Sequence, residues 1–195
     1  MITVSVPDTN KLPALRIGEI VLRTNRYDAM KAWYRAVLRV DPYYERDAPD
    51  HGQDTDSQDT GQRRPAWAAQ LRLCFFRLVL DHPYQQVVAI FDTPGLDDAA
   101  GYGPGLHHIQ FRDPSRSVLA RRYVELKAAG IEPFRAMDHG PNSSLYYRDP
   151  DDNIVEIATP NYADVEQYLQ AISSAEFKAN PSGTPLDLQA LAAGQ

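Results

Sequence analysis

The chain has 195 residues, of which 43% are hydrophobic and 24% charged, as in a globular protein with enough apolar side chains for a core. Its formal net charge of −6 provides no basic surface, which argues against nucleic acid or an anionic membrane as a partner. No segment has the length of an apolar membrane span, and the single cysteine, Cys74, allows no intramolecular disulfide, so we expect a buried thiol in a cytoplasmic protein.

The first half of the chain predicts a strand, a helix and further strands. Residues 17–24 alternate between polar and apolar side chains, as a half-buried β-strand does. A helix follows, with Asn25 as its predicted N-cap and with apolar residues at helical spacing: Met30, Trp33, Tyr34, Val37 and Leu38. Residues 45–64 are polar and predict a mobile surface insertion, whereas residues 66–80 and 86–93 return to apolar, strand-like patterns.

The second half repeats this order after a Gly- and Pro-rich linker. Residues 106–111 predict a strand, and residues 115–130 predict a helix that ends with Gly130 in the C′ position. Three strands follow within residues 131–159, and we expect the tail to pack across the core or toward a partner subunit. The predicted divisions are an N-terminal arm (1–15), a first module (16–95), a second module (104–160) and a C-terminal arm (161–195).

The two halves match in sequence as well as in the order of their elements. Residues 40–44, VDPYY, are similar to residues 131–135, IEPFR, and VVAIFDTP is similar to IVEIATP. Overlaying the halves superposes Glu19 on His108 in the first strand of each half and Ala89 on Glu156 in the last strand. Such a repeat indicates two units that each contribute one surface to a shared core.

The repeat suggests a common purpose for three polar residues in apolar strands. Glu19, His108 and Glu156 lie far apart in the chain, yet side chains at matched strand positions point to matched faces. If pseudo-twofold symmetry pairs the sheets, the three converge in one cleft, where a divalent cation would stabilise them. The alternative is that both carboxylates lie on exposed strand faces and His108 is a hydrogen-bonded core histidine. We expect His107 to point to the opposite face.

These features resemble the vicinal oxygen chelate superfamily, which contains glyoxalases, bleomycin- and fosfomycin-resistance proteins and extradiol ring-cleaving dioxygenases. The resemblance covers about residues 16–160 and depends on three segments: EIVLRTNRYDAMKAWYRAVL, GLHHIQF and HGPNSSLYYRDPDDNIVEI. The tail, SSAEFKANPSGTPLD, also resembles that of small extradiol-dioxygenase-like proteins. The resemblance implies an α+β fold of two paired βαβββ modules that form a curved, open-barrel cleft around a metal. It further implies a homodimer.

The resemblance also implies roles for single residues. His108 matches the second metal-binding histidine, and Glu156 matches the final metal-binding carboxylate. His139 resembles the acid–base histidine of the ring-cleaving enzymes, and Tyr146 resembles the tyrosine that hydrogen-bonds a catecholate oxygen. Because Tyr146 and Tyr147 alternate along a strand, only one of them can face the cleft.

Two departures from the dioxygenase pattern bear on the chemistry. The first metal ligand of the dioxygenases is a histidine, and here it is Glu19. A His-His-Arg-like run before the last strand of the first half is replaced by Tyr84, Gln85 and Gln86. We predict that Tyr84 and Gln85 contact substrate. Ala89 stands where glyoxalase-type sites have a further carboxylate. One histidine and two carboxylates form a hard donor set, for which Fe(II) is the first candidate and Mn(II) or Mg(II) the others.

The resemblance therefore implies a metal-dependent enzyme for a small aromatic or polyketide-like substrate with vicinal oxygens, with ring-cleaving oxygenation as the reaction. Two alternatives stay open. One is a non-redox isomerase, lyase or cyclase on the same scaffold, which Glu19 in place of histidine favours. The other is a binding protein that sequesters its ligand, which the loss of the basic run favours.

Overall fold

The computed structural model describes residues 16–47, 72–81, 84–95 and 106–194. The predicted N-terminal arm and residues 48–64 of the predicted insertion lie outside these described ranges. Within them the chain forms nine strands and five helices, which divide into two compact units. Residues up to Thr24 and from Val40 to Thr93 belong to the first unit, and residues Asn25–Arg39 and those from Pro94 onward belong to the second.

The first unit is a four-stranded mixed sheet with the strand order β1-β4-β3-β2. Its strands are β1 (Glu19–Thr24), β2 (Tyr44–Arg46), β3 (Leu73–Asp81) and β4 (Tyr84–Asp92). The β1 strand runs parallel to β4, and the other pairs are antiparallel. Cys74 on β3 is buried, as predicted. The predicted insertion begins two residues too early, because Glu45 and Arg46 pair with β3.

The second unit is a five-stranded sheet with the order β5-β8-β7-β6-β9 and with all five described helices. Its strands are β5 (Ile109–Arg112), β6 (Arg135–Asp138), β7 (Asn142–Arg148), β8 (Ile154–Pro160) and β9 (Thr184–Pro185). The helices are α1 (Tyr27–Leu38), α2 (Arg116–Ala128), α3 (Val165–Ser173), α4 (Ala175–Ala179) and α5 (Leu188–Ala193). No helix in the described ranges is long and apolar enough to cross a membrane.

The predicted α+β class is confirmed, because β1-α1-β2-β3-β4 and β5-α2-β6-β7-β8 are both βαβββ sequences. The pairing registers also confirm the overlay of the two halves. Ala89 lies opposite Phe75, which lies opposite Tyr44. Glu156 lies opposite Tyr146, which lies opposite Arg135, the residue that VDPYY and IEPFR match to Tyr44. Matched residues therefore occupy matched positions in their own sheets.

The boundaries of two predicted elements shift. The β5 strand begins at Ile109 rather than at residue 106, so His107 and His108 precede the strand. The α1 helix begins at Tyr27 and not after Asn25, because the Met30 amide donates to the Arg26 carbonyl and makes Arg26 the capping residue. These shifts matter for the site because strand alternation does not govern residues outside a strand.

Buried aromatic side chains connect α1 with the rest of the second unit. Trp33 and Tyr34 are buried, and their rings meet edge to face with centroids 4.9 Å apart. The Tyr34 hydroxyl donates to Asp149 Oδ2 at 3.1 Å. Burial raises the pKa of Tyr34, so the phenol stays protonated and acts as the donor in this bond.

We expect Tyr34→Phe to lower the free energy of unfolding by about 1.5 kcal/mol, at the lower end of the range for hydrogen bonds to charged groups. The lower end applies because Asp149 also accepts from the amides of Asp151 and Asn153 and is not left without donors. Tyr147→Phe is the matched control, since Tyr147 is fully buried and its hydroxyl has no hydrogen-bond partner within the described residues. Urea titrations of both variants should show a loss only for Tyr34→Phe, and equal losses would contradict the assignment.

Candidate metal and acid–base site

The register of the β7–β8 hairpin brings Tyr146 beside Glu156 on one face of the second sheet. The hairpin turn is set by Asp149, whose Oδ1 accepts from the amides of Asp151 and Asn153 at 3.0 and 2.9 Å. Tyr147 points to the other face and is fully buried. The alternation expected of the tyrosine pair is confirmed, and Tyr146 shares the face of Glu156.

The Glu156 carboxylate has a histidine as its neighbour. Its side chain is only 5% exposed, and His108 Nε2 lies 3.1 Å from Glu156 Oε2. The parallel pairing of Ile109 with Val155 brings the segment before β5 to this point of β8. A buried carboxylate is stabilised by a nearby cation or donor, and the imidazole supplies one.

The spacing of this pair fits a divalent ion. Two donors bound side by side to one ion at about 2.1 Å lie about 3 Å apart, which agrees with 3.1 Å between His108 Nε2 and Glu156 Oε2. The same spacing makes a hydrogen bond when the imidazole nitrogen is protonated. No three His, Cys, Asp or Glu residues of the described ranges form a group that could hold a metal. Glu19, the third predicted ligand, is exposed at the start of β1 in the first unit.

The prediction that His107 points away from His108 is wrong. The two Nδ1 atoms lie 2.7 Å apart, and the rings meet edge to face with centroids separated by 5.0 Å. Both residues precede β5, so they do not alternate as strand residues would. One ring donates and the other accepts, and His107 therefore helps to orient His108.

Tyr146 connects Glu156 with a second histidine. The Tyr146 hydroxyl lies 3.0 Å from His139 Nε2. Burial, the charge of Glu156 and a hydrogen bond to that carboxylate raise the pKa of Tyr146, while Arg135, whose guanidinium lies 5.4 Å from the ring centroid, partly opposes the rise. The phenol is therefore a proton donor in its ground state, with a carboxylate and an imidazole as the two groups that can accept its proton.

The other ring nitrogen of His139 contacts the tail. His139 Nδ1 lies 3.0 Å from the Pro181 carbonyl oxygen. A carbonyl oxygen only accepts, so Nδ1 carries a proton, and in the neutral ring Nε2 is the unprotonated nitrogen that faces Tyr146. His139 also lines a cavity of about 680 Å³ together with tail residues that include Phe177 and Asn180.

A polar network holds the loop that carries His139. Asp138 Oδ1 accepts from the Gly140 amide at 2.8 Å and from the Asn161 side chain at 2.9 Å. The same Asn161 amide donates to the Gly140 carbonyl, and its oxygen accepts from Ser143. Gly140 has φ of +86°, a conformation that favours glycine. These hydrogen bonds connect the loop to Asp138 at the end of β6 and, through Asn161, to Ser143 on β7.

The predicted substrate-contacting residues lie in the first unit. Tyr84 is the first residue of β4, and Gln85 is an exposed residue of the same strand that pairs with Leu80. The strand predicted over residues 86–93 therefore starts two residues too late, because β4 begins at Tyr84. Their role stays a prediction, as do the metal-binding roles of Glu19, His108 and Glu156 and the catalytic roles of His139 and Tyr146.

Sequence reasoning missed two groups at this site. Pro181 contributes a backbone carbonyl, and no side-chain pattern marks a carbonyl that contacts a residue 42 positions away. The repeat matches Arg135 to Tyr44. Because Arg135 pairs with Tyr146 in the sheet, predicting the strand register from the repeat would have identified Arg135 as a neighbour of Tyr146.

Comparison with known proteins identifies relatives over most of the chain. The model of the Glyoxalase/Bleomycin resistance protein/Dioxygenase superfamily matches residues 16–157. Biphenyl-2,3-diol 1,2-dioxygenase 2 of Rhodococcus globerulus is 30% identical over 183 residues, which cover 92% of this chain and 83% of the relative. Biphenyl-2,3-diol 1,2-dioxygenase 3 of the same organism is 33% identical over 178 residues, which cover 89% and 80% of the two chains.

Solved structures agree at the level of the fold. A glyoxalase/dioxygenase from Nostoc punctiforme superposes with a TM-score of 0.53 at 15% identity, covering 82% of this chain and 99% of the other. A glyoxylase/bleomycin resistance protein/dioxygenase domain from Frankia sp. EAN1pec superposes with a TM-score of 0.50 at 19% identity, covering 81% and 99%.

Proposed function

Because the chain belongs to the Glyoxalase/Bleomycin resistance protein/Dioxygenase superfamily, we propose that it is a metal-dependent, ring-cleaving dioxygenase for a small aromatic substrate with two adjacent oxygens. The observation that carries the proposal is the series of contacts His108–Glu156–Tyr146–His139 on one sheet face. It combines two donors for a metal with two groups that can move a proton. The names of the two Rhodococcus relatives, which are diol dioxygenases, support this substrate class.

His108 and Glu156, with Glu19 as the third ligand, are the residues that would hold the metal. When bound, a divalent ion, with Fe(II) as the first candidate, would act as a Lewis acid toward the two substrate oxygens and supply redox chemistry with dioxygen. A set of two carboxylates and one imidazole would neutralise the charge of a dication. Mn(II) and Mg(II) suit the same donors.

Tyr146 and His139, beside the proposed metal ligands, would donate and accept protons during the reaction. Tyr146 stays protonated because its pKa is raised, so its hydroxyl can donate a hydrogen bond to an anionic substrate oxygen. His139, with Nε2 unprotonated and 3.0 Å from Tyr146, is suited to accept a proton from the substrate diol and to return it to the product.

The direct test is anaerobic reconstitution with Fe(II), followed by oxygen uptake with a panel of catechols, including aryl-substituted ones. We expect equimolar consumption of dioxygen and diol and the absorbance of a ring-opened product. No uptake with any diol would overturn the proposal, and tight binding of a diol with unchanged mass would indicate a sequestering protein instead.

Glu156→Gln should lower the metal content of protein reconstituted with Fe(II) or Mn(II). The amide keeps the size of the side chain but removes the negative charge that a hard cation requires. Glu132→Gln is the matched control, because Glu132 is exposed and only approaches Lys127 at 3.7 Å. Metal analysis after gel filtration should show a loss for Glu156→Gln and for Glu19→Gln, and full occupancy in both would contradict the proposed ligands.

A non-redox lyase or isomerase is the second candidate function. Glu19 in place of a histidine favours it, because two carboxylates and one imidazole make a donor set richer in carboxylate than a set with two histidines. In that reaction the metal site would stabilise an enolate without a change of oxidation state. Product formation under strict anaerobiosis with Mn(II) or Mg(II), and no oxygen uptake with Fe(II), would distinguish it from the dioxygenase.

A further inference from the structure

We propose that the C-terminal tail is a positioning element for His139, in which the Pro181 carbonyl selects the Nδ1–H tautomer and directs unprotonated Nε2 at Tyr146. The functional consequence rests on the proposed acid–base role of His139. The tautomer itself does not, because it follows from contacts within the second unit alone. A tail beyond the last strand of the repeated module would then be part of the site.

Two contacts of opposite character determine which ring nitrogen of His139 carries the proton. His139 Nδ1 lies 3.0 Å from a backbone carbonyl, which can only accept a hydrogen bond. His139 Nε2 lies 3.0 Å from the Tyr146 hydroxyl, which can donate one. The neutral ring satisfies both neighbours only with its proton on Nδ1. The carbonyl thus decides which nitrogen can accept a proton on the side of Tyr146 and Glu156.

The tail holds Pro181 in place through a closed turn. The Gly183 amide donates to the Asn180 carbonyl at 3.1 Å, and the Asn180 side chain donates back to the Gly183 carbonyl at 2.9 Å. After the turn, β9 pairs with β6, with Thr184 opposite Asp138, the residue that precedes His139. The carbonyl and the imidazole are therefore attached to adjacent strands of one sheet.

Gly183 is the residue that allows this close approach. Its φ is +71°, and a Cβ built on it would lie 2.2 Å from the Asp138 carbonyl oxygen and 2.8 Å from His139 Cα. These are backbone atoms of β6 and the loop after it, so they cannot rotate away as a side chain would. Alanine at this position should push the turn, and with it the Pro181 carbonyl, away from His139.

Gly130 offers a matched control for this substitution. It has a similar φ of +78°, but a Cβ there would meet no atom within 4 Å. Gly130→Ala and Gly183→Ala therefore share the cost of a positive φ, and only Gly183→Ala adds a clash with the backbone beside His139. Asn180→Ala, which removes a hydrogen bond of the turn without a clash, is the second variant if Gly183→Ala does not fold.

The experiment is a long-range ¹H–¹⁵N correlation spectrum of histidine-labelled, metal-free full-length protein, at a pH about two units above the ordinary imidazole pKa of about 6.5. The His139 signals are assigned by their loss in His139→Gln. We expect protonated Nδ1 and unprotonated Nε2 in the native chain and in Gly130→Ala. In Gly183→Ala or Asn180→Ala we expect a measurable rise in the Nε2–H population, with kcat for diol cleavage lowered about 10- to 100-fold and KM little changed.

Each outcome decides one of the two proposals. An Nε2–H ring in the native protein, or an unchanged tautomer in a folded Gly183→Ala protein, would overturn the role of the tail. A tautomer that responds as expected, in a protein that cleaves no diol, would support the role of the tail and reject the dioxygenase function.

Discussion

Replacing His139 with asparagine is expected to lower kcat for diol cleavage by about 10²- to 10⁴-fold, the usual contribution of a positioned general base or acid. The side-chain amide of asparagine can stand in for Nδ1 and still donate to the Pro181 carbonyl. It has no titratable nitrogen near Tyr146, so proton transfer is lost while the loop keeps its contact with the tail.

The effect should appear in kcat rather than in binding. His139 is not among the proposed metal ligands, so the metal content of His139→Asn should equal that of the native protein. KM for the diol should change by no more than a few-fold, because an interaction made only in the transition state lowers kcat and kcat/KM together. Steady-state oxygen uptake and metal analysis on the same preparations measure both quantities.

A second variant, His139→Gln, separates the loss of the titratable nitrogen from the loss of the contact with Pro181. Its amide reaches the position of Nε2 and can contact Tyr146, but it gives up the contact with Pro181. If acid–base chemistry matters, both variants should lose activity to a similar extent, because neither side chain titrates near neutral pH. A kcat within tenfold of the native value in either variant would show that His139 is not the acid–base group.

The framework of the fold was predictable because the chain contains its pattern twice. Periodicity alone predicts the α1 and α2 helices, and the similarity of VDPYY to IEPFR predicts the register that matches Tyr44 to Arg135. From that register it follows that Ala89 and Glu156 occupy matched positions, each opposite an aromatic residue, Phe75 or Tyr146. Repeated sequence constrains pairing, since slipping a strand by one residue would turn its apolar side chains to the wrong face.

The placement of Tyr146 beside Glu156 was predictable from the sequence for a different reason. Tyr146 faces Glu156 because the short turn built around Asp149 permits one hairpin register, and Asp149 and Asn153 are typical turn residues. The contact between the Pro181 carbonyl and His139 was not predictable from the sequence. A two-residue strand, Thr184–Pro185, has no periodicity to detect, and the glycine that permits its approach resembles any other loop glycine in the sequence.

Glu19 lies on the uncovered face of its strand. The alternation of residues 17–24 predicts a half-buried strand, and the buried face carries Leu22 and Thr24, whereas Glu19 is exposed and Val21, two residues later, is 44% exposed. Period-two alternation identifies the two faces of a strand but does not say which face is covered. The buried carboxylate of the candidate site is Glu156, which lies on the interior strand β8 between β5 and β7.

Arg122→Met is expected to cost about 3–5 kcal/mol of the free energy of unfolding, the usual effect of leaving a buried charge without its partner. Arg122 Nε and Nη2 donate to the two carboxylate oxygens of Asp113 at 2.8 and 2.6 Å. Asp113 is only 3% exposed, and its hydrogen bond raises the pKa of Arg122, so the guanidinium stays charged. Methionine preserves much of the packing of the arginine stem and removes the charge.

The arginine also connects three elements of the second unit. It extends from α2, binds Asp113 after β5, and donates through Nη1 to the Val37 carbonyl in the last turn of α1 at 2.8 Å. That carbonyl is one of those that a helix end leaves without an intrahelical donor. The loss should therefore exceed that of a simple ion pair, and amide exchange should rise in the last turn of α1 as well as around Asp113.

Lys127→Met on the same helix provides the control. Lys127 approaches Glu132 at 3.7 Å, and both side chains are more than half exposed, so this pair should contribute less than about 1 kcal/mol. Adding Asp113→Asn to Arg122→Met should recover part of the loss, because the buried charge is removed with its partner. Urea titrations of the four proteins test this, and an Arg122→Met cost no larger than that of Lys127→Met would mean that Asp113 finds another partner or solvent when the guanidinium is gone.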